Sequence, residues 1–264
     1  MIPFSEYYRK YLGIDSYQIE SDRFVFPSER RAKSVAHFYV HHLISTVIDG
    51  RLIHSISPRF AADFTSLIGQ SQVKMVNLTL CRDIDDSFFY LLPPLSYSSR
   101  IMRRMTMDCV DVSQSNEKID VCTISESDKK LFDKQLLQRG KKFAEFIWNE
   151  RLKTINSGRY FAVIEDDKIV SSSFVSDIDN QAGNIVVSTK PEYRKRGYGK
   201  AVVLRAAEWC IQNGIRPIYL VDEDNTPSVR LAEGLGFTEQ AREVIVSTYK
   251  KFAFNPYEAS SCQG

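Results

Sequence analysis

The sequence predicts an α+β protein built as two units: a smaller α+β unit of residues 1–115 and a second of residues 116–264. Three observations predict it. The chain has 264 residues, enough for two modest cores. Its most polar and least periodic internal window is DVSQSNEKID, Asp111 to Asp120, which has the composition of a connector. Beyond that window, short strand-like runs alternate with stretches of helical spacing.

Composition excludes several classes of function. Hydrophobic content of 43% and charged content of 26% are those of an ordinary globular protein, and a net charge of +2 gives no general attraction to nucleic acid or anionic lipid. No nucleic-acid or membrane partner is therefore expected, and any basic site must be local. The five cysteines, Cys81, Cys109, Cys122, Cys210 and Cys262, are scattered and lack the CxxC spacing of a metal or redox pair. MIPFSEYYRKYLG at the start carries charges and tyrosines where a signal peptide needs an apolar core. A reducing, cytoplasmic setting is the expectation.

In the first unit, YVHHLISTVI and RLIHSIS read as strands around Asp49-Gly50, a dipeptide suited to the positive φ values of a two-residue hairpin. SPRFAADFTSLIG reads as a helix with Pro58 in its first turn and Gly69 at its end. KMVNLTL and IMRRMTM read as further strands. The second unit begins with a short strand in DVCTI, then a helix in SESDKKLFDKQLL capped by Ser125, then a helix in KKFAEFIWNERLKTI. RYFAVIE, KIVSSSFVSDI and GNIVVST follow as a meander, the first pair turning at Asp166-Asp167. GKAVVLRAAEWCIQNG is a helix with an apolar stripe through Val203, Ala207, Cys210 and Ile211, closed by Asn213-Gly214. Strand RPIYLV leads to a helix in NTPSVRLAEGLGF, with Thr226 as cap and Pro227 in the first turn, and two final strands lie in GFTEQAREVIVSTYKKFAF.

Between the meander and its helix lies YRKRGYGKA, Tyr193 to Ala201. A glycine-rich turn opening directly into a helix presents unpaired backbone N–H groups at the positive end of the helix dipole, which is a phosphate site. Gly197 and Gly199 let the backbone approach an anion, and Lys190, Arg194, Lys195, Arg196 and Lys200 surround it with charge. Neither familiar phosphate loop fits. The Walker pattern would need glycine at Arg194 and Ser or Thr at Ala201, and the dinucleotide pattern would need glycine at Val202. A solvated basic turn is the bland alternative.

The position of the loop in the strand order decides between them, because there the chain resembles the GCN5-related N-acetyltransferase (GNAT) superfamily. Arg194, Gly197 and Gly199 match that family's R/Q-x-x-G-x-G/A signature, with Thr189, Pro191 and Tyr193 aligned before it. Downstream, Asn225, Ser228, Leu231, Gly236 and Phe237 fall in register with its second motif. The resemblance covers about residues 118 to 253 and implies a three-layer fold with a mixed, mostly antiparallel sheet. It implies an acyl-CoA cosubstrate, acetyl-CoA by default, and an amine acceptor. The N–H groups of Lys195, Arg196, Gly197, Tyr198, Gly199 and Lys200 would then hold the coenzyme pyrophosphate. The pantetheine arm would lie along Val187, Ser188 and Thr189, with Asn225 and Ser228 as further cofactor contacts.

Catalytic residues are harder to place. The family's frequent general acid is a tyrosine at the position of Ala232 here, so Tyr198, Tyr219 and Tyr249 are the remaining hydroxyl candidates. Asp222 and Glu223, just beyond strand RPIYLV, are candidate bases, with helix capping as the competing role. The four histidines, His37, His41, His42 and His54, do not suit a metal. The hairpin places Ser45 opposite His54, so His41 lies about 13 Å along the strand from that pair; they read as surface or partly buried side chains. An acyl-CoA-binding sensor is the alternative to an enzyme, and Ala232 is the feature that favours it. The first unit is open to an interaction role, such as forming a homodimer or gripping a macromolecular substrate.

Overall fold

The structure is a computed structural model that describes residues 1–14, 24–35, 39–68, 74–93, 96–111, 118–136 and 140–249, the side chains of 133–136, 177 and 249 excepted. The first half opens with helix α1 (Phe4–Leu12), which ends at Gly13 in the left-handed region (φ 70°) and buries Tyr7, Tyr8 and Leu12. Strands β1 (Val25–Pro27) and β2 (Ser34–Val35) precede the hairpin of β3 (Tyr39–Ile48) and β4 (Arg51–Ile56). Asp49 and Gly50 turn it with φ of 50° and 74°, as their sequence requires. A 3-10 turn at Pro58–Phe60 leads into α2 (Ala61–Ile68); Gly69, the expected helix end, lies outside the described residues.

The expected strand KMVNLTL does not form. Asn77 instead caps helix α3 (Leu78–Phe89), its side chain accepting the Leu80 N–H at 2.9 Å. Leu80, Ile84 and Phe88 then fall at helical spacing and are fully buried, so the run belongs to a helix whose continuation lies past the apolar triplet. Strand β5 (Tyr97–Thr106) closes the first half.

The second half follows the predicted order more closely: β6 (Cys122–Thr123), α4 (Lys129–Leu136), α5 (Lys141–Asn156), β7 (Tyr160–Glu165), β8 (Lys168–Asp179), β9 (Ala182–Thr189), α6 (Tyr198–Gln212), β10 (Arg216–Asp222), α7 (Thr226–Gly234) and β11 (Thr238–Tyr249). Ser125 and Asp128 form a reciprocal capping box before α4. Two details differ from expectation. Asn225, not Thr226, caps α7, because its Oδ1 reaches the Ser228 N–H. The two final strands are, among the described residues, one strand of 12 residues with an irregular register between Glu239 and Ala241.

Among the described residues all strands join one sheet in the order β1-β4-β3-β11-β5-β10-β9-β8-β7-β6, with β2 beside β3. The proposed division at residue 115 falls in an undescribed stretch, and strands from both sides of it interleave: β5 lies between β10 and β11, antiparallel to each. Side chains alternate across the sheet, so adjacent residues feed opposite layers. Tyr219 and Val221 pack under α6 and α7, whereas Ile218 and Leu220 join Tyr7, Tyr8 and Leu12 of α1 on the other face. On their own parts of the sheet, α2 and α3 cover Leu43, Ile56, Val244 and Val246, and α4 and α5 cover Tyr160, Ala162 and Phe174. Burying side chains such as Phe64 and Phe88 completely stabilises the assembly by roughly 1.5–3 kcal/mol each. No helix among the described residues is long and apolar enough to cross a membrane.

Candidate functional site

The sheet is split along a parallel pair in the second half. β9 and β10 run side by side through Ala182–Arg216, Gly183–Pro217 and Asn184–Ile218, and then part. From there β9 pairs only with β8, and β10 only with β5. The backbone edges of Ile185 to Thr189 and of Tyr219 to Asp222 therefore face each other across a slot with no ladder between them. Arg216 pins the closed end: its guanidinium donates to Ile2 O (2.6 Å), Asp108 Oδ1 (2.9 Å) and Thr106 Oγ1 (3.4 Å).

The open end of β9 runs into the basic loop. Pro191–Tyr193 form a 3-10 turn, Arg194 is extended and donates from Nε to Thr189 O at 3.3 Å, and Lys195 (φ 63°) and Gly197 (φ 87°) take left-handed conformations. The first intrahelical bond of α6 runs from Ala201 N to Gly197 O (3.0 Å), which leaves the N–H groups of Tyr198, Gly199 and Lys200 without acceptors in a preceding turn. A Cβ on Gly199 would sit 3.2 Å from Thr189 Oγ1, so glycine lets the helix start lie close against the strand end. Arg194, Lys195 and Arg196 are exposed, and Lys200 is half-buried. Arg196 lies over the Tyr193 ring, and Tyr198 donates its hydroxyl to Glu165. An anion-receptive helix start thus stands at the mouth of the slot.

On the opposite wall, Asn225 and Ser228 open α7, and Ser228 Oγ lies 2.8 Å from the Tyr219 hydroxyl. Burial holds the Tyr219 phenol above its ordinary pKa, so it keeps its proton. Ala232 is fully buried behind it in the core. The two candidate bases diverge. Asp222 lines the slot, while Glu223 is not among the lining residues and pairs with Arg242 (3.2 Å). Ser188 is exposed, and the side chain of Tyr249 lies outside the described residues.

A cavity of about 330 Å³ occupies the splayed region, lined by Asn184 to Val187 of β9 and Tyr219 to Asp222 of β10. Sequence reasoning missed its other walls: Tyr39 and His41 of β3, Arg100 and Met102 of β5, and Ile245 and Ser247 of β11. No local signal reveals them, because only the pairing of β3, β5 and β11 across the sheet brings them beside β9 and β10. The histidines are also more enclosed than expected. His41, His42 and His54 are all buried, bonded to Ser247, Thr248 and Ser45 respectively; His37 lies outside the described residues. Burial, reinforced by Arg31, Arg104 and Arg100, lowers the His41 pKa to about 3, so His41 meets the cavity as a neutral ring. Among the described residues there is no group of three His, Cys, Asp or Glu side chains able to hold a metal ion.

Sheet and slot define a three-layer α+β protein with a cleft that opens where two parallel strands separate. Residues 126–237 are similar to the Acetyltransferase (GNAT) family, whose model matches that stretch of the chain. A curated relative, the uncharacterized N-acetyltransferase YdfB of Bacillus subtilis (strain 168), is 30% identical over 95 residues, which is 36% of this chain and 36% of the relative; the chain thus spans about a third of that protein's length. A GCN5-related N-acetyltransferase from Sphaerobacter thermophilus shares the fold at a TM-score of 0.51 and 14% identity, over 91% of this chain and 89% of the other. An acetyltransferase of the GNAT family from Colwellia psychrerythraea covers 80% of this chain and 82% of its own, at a TM-score of 0.48 and 15% identity.

Proposed function

We propose that the protein is an acyl-CoA-dependent N-acyltransferase that moves an acetyl group from acetyl-CoA to a primary amine. The observation that carries this reading is the continuity of the slot with the helix start of α6: unpaired strand edges lead straight to the free N–H groups of Tyr198, Gly199 and Lys200. The pyrophosphate binds in the curl from Arg194 to Lys200, and the pantetheine amides bond to the β9 edge along Val187, Ser188 and Thr189 as an added strand would. Asn225 and Ser228 meet the cofactor from the other wall.

In the reaction the neutral amine attacks the thioester carbonyl. The N–C bond forms, the C–S bond breaks, one amine proton leaves, and the coenzyme thiolate takes up one. Backbone N–H groups at the β9 edge stabilise the carbonyl oxygen. Asp222, which lines the slot, accepts the amine proton. The Tyr219 hydroxyl, protonated and at the slot, is the donor to the thiolate, in place of the hydroxyl that Ala232 lacks. A second reading, an acyl-CoA-binding sensor without turnover, is favoured by Ala232 alone.

Calorimetry with coenzyme A, and thiol release from acetyl-CoA with a panel of amines, test the proposal together. Binding with release above background supports the enzyme, and binding without release supports the sensor. Absence of binding removes both. Tyr219→Phe should lower kcat while leaving the acetyl-CoA affinity unchanged.

A further inference from the structure

The cavity holds one charged pair that does not close. Arg100 Nη1 of β5 stands 3.5 Å from Asp222 Oδ2 of β10, beyond the 2.7–2.9 Å of a charge-assisted hydrogen bond, and both side chains are partly exposed (47% and 26%). The guanidinium has five donors in a fork shaped for a carboxylate. Asp222 Oδ1 already accepts from the Asp224 N–H (3.1 Å), so Oδ2 is the atom left to the cavity. An exposed pair of this kind contributes about 1 kcal/mol or less, so exchanging it for two contacts with a ligand costs little.

Two further features define what would enter. Asn184 stands at the closed end of the same cavity. Between Asn184 and the charged pair the walls are apolar, formed by Met102, Leu220 and Ile245, and His41 adds a neutral ring. A cavity of about 330 Å³ has room for a molecule of amino-acid size and none for a folded polypeptide segment.

We infer that this cavity is a subsite for a free α-amino acid with an apolar side chain, its carboxylate on Arg100 and its amino group on Asp222. As an acceptor site it rests on the acyltransferase reading, since the amino group would then stand at the slot where the thioester lies. The charge arrangement by itself selects a molecule carrying both groups. An amine without a carboxylate leaves the Arg100 fork unused, and a carboxylate without an amine leaves Asp222 facing an uncompensated anion.

The test uses the full chain with three probes of one carbon skeleton: L-leucine, 3-methylbutylamine and 4-methylpentanoate. Binding is followed by calorimetry with and without coenzyme A, and transfer by thiol release. Leucine should bind and be acetylated in preference to both partial analogues. Arg100→Gln should weaken leucine binding at least about tenfold, the weight of one bidentate charged contact, and should affect leucine more than 3-methylbutylamine, which has no carboxylate to lose, while coenzyme A affinity reports an intact fold. Arg100→Lys, which keeps the charge and loses the fork, should fall between them. Equal use of leucine and 3-methylbutylamine, or an Arg100→Gln variant that binds leucine as the parent does, overturns the subsite. Leucine binding without coenzyme A binding sustains the subsite and overturns the acyltransferase function. Coenzyme A binding without leucine binding overturns the subsite, and thiol release with the other amines then decides the acyltransferase reading.

Discussion

Arg104 of β5 and Glu243 of β11 meet in the interior at 2.5 Å, with their side chains 3% and 0% exposed. Tyr8 donates to the same carboxylate (2.8 Å), the Tyr7 hydroxyl accepts from Arg104 (3.0 Å), and the guanidinium stacks 4.2 Å from the centre of the Tyr11 ring. The pair fastens α1 to the two strands that join the halves of the chain. Glu243→Gln would leave the guanidinium without its counter-charge and should destabilise the protein by about 3–5 kcal/mol in urea titrations. Replacing both residues with apolar ones, Arg104→Met with Glu243→Leu, should retain more stability than the single change. A double variant as weak as Glu243→Gln would show that hydrogen bonding, and not charge burial, governs the site.

Gly197 occupies a left-handed conformation at the start of α6, where a Cβ would come 3.2 Å from Ile119 Cδ1. Gly197→Ala should lower stability by about 1 kcal/mol through backbone strain. Gly197→Glu adds a negative charge to the proposed pyrophosphate cradle and should abolish coenzyme A binding while the circular dichroism spectrum is preserved. Unchanged affinity in calorimetry would remove the cradle from the proposal.

Asn225 combines two roles that can be separated. Its side chain accepts the Ser228 N–H at 3.3 Å, so Asn225→Ala should cost about 1 kcal/mol as a lost helix cap. Asn225→Asp keeps the cap and adds charge. If the residue also meets the cofactor, the aspartate variant should recover stability but not coenzyme A affinity, and recovery of both would restrict Asn225 to capping.

The buried histidines set an acid limit. Burial lowers His41 and His54 to about 3, and burial with Arg59 nearby lowers His42 to about 4, against 6.5 in an unfolded chain. Between those values the unfolded state binds more protons than the folded one. Stability is therefore fully present above about pH 6.5 and declines as pH falls toward 4, by as much as about 1.4 kcal/mol per pH unit for each histidine. Urea midpoints from pH 7.5 to 5 should show the decline, and His54→Phe should make it shallower. Midpoints independent of pH across that range would contradict it.

Local chemistry explains which parts of the fold were legible. Asp49-Gly50, Asp166-Asp167 and the Ser125–Asp128 box announce their turns and cap because each depends on φ angles or hydrogen bonds within four residues. The glycines between Arg194 and Lys200 likewise announce a turn that opens a helix. α3 was misread because Leu78 and Leu80 alternate like a strand until Ile84 and Phe88 complete the helical face. The walls of the cavity were illegible, since Arg100 and Asp222 meet only after β5 has paired with β10, an alignment that no short window encodes.

That alignment also imposes a timetable. Thr106 of β5 is opposite Ile218 on one side and Thr238 on the other, so the strand waits for more than a hundred further residues before either neighbour exists. At a synthesis rate of about 5–20 residues per second the wait is on the order of ten seconds. Throughout it, β5 has two bare edges and an arginine, Arg104, without its glutamate. During translation, then, the most vulnerable segment of this protein is the strand that later lies at the centre of its sheet.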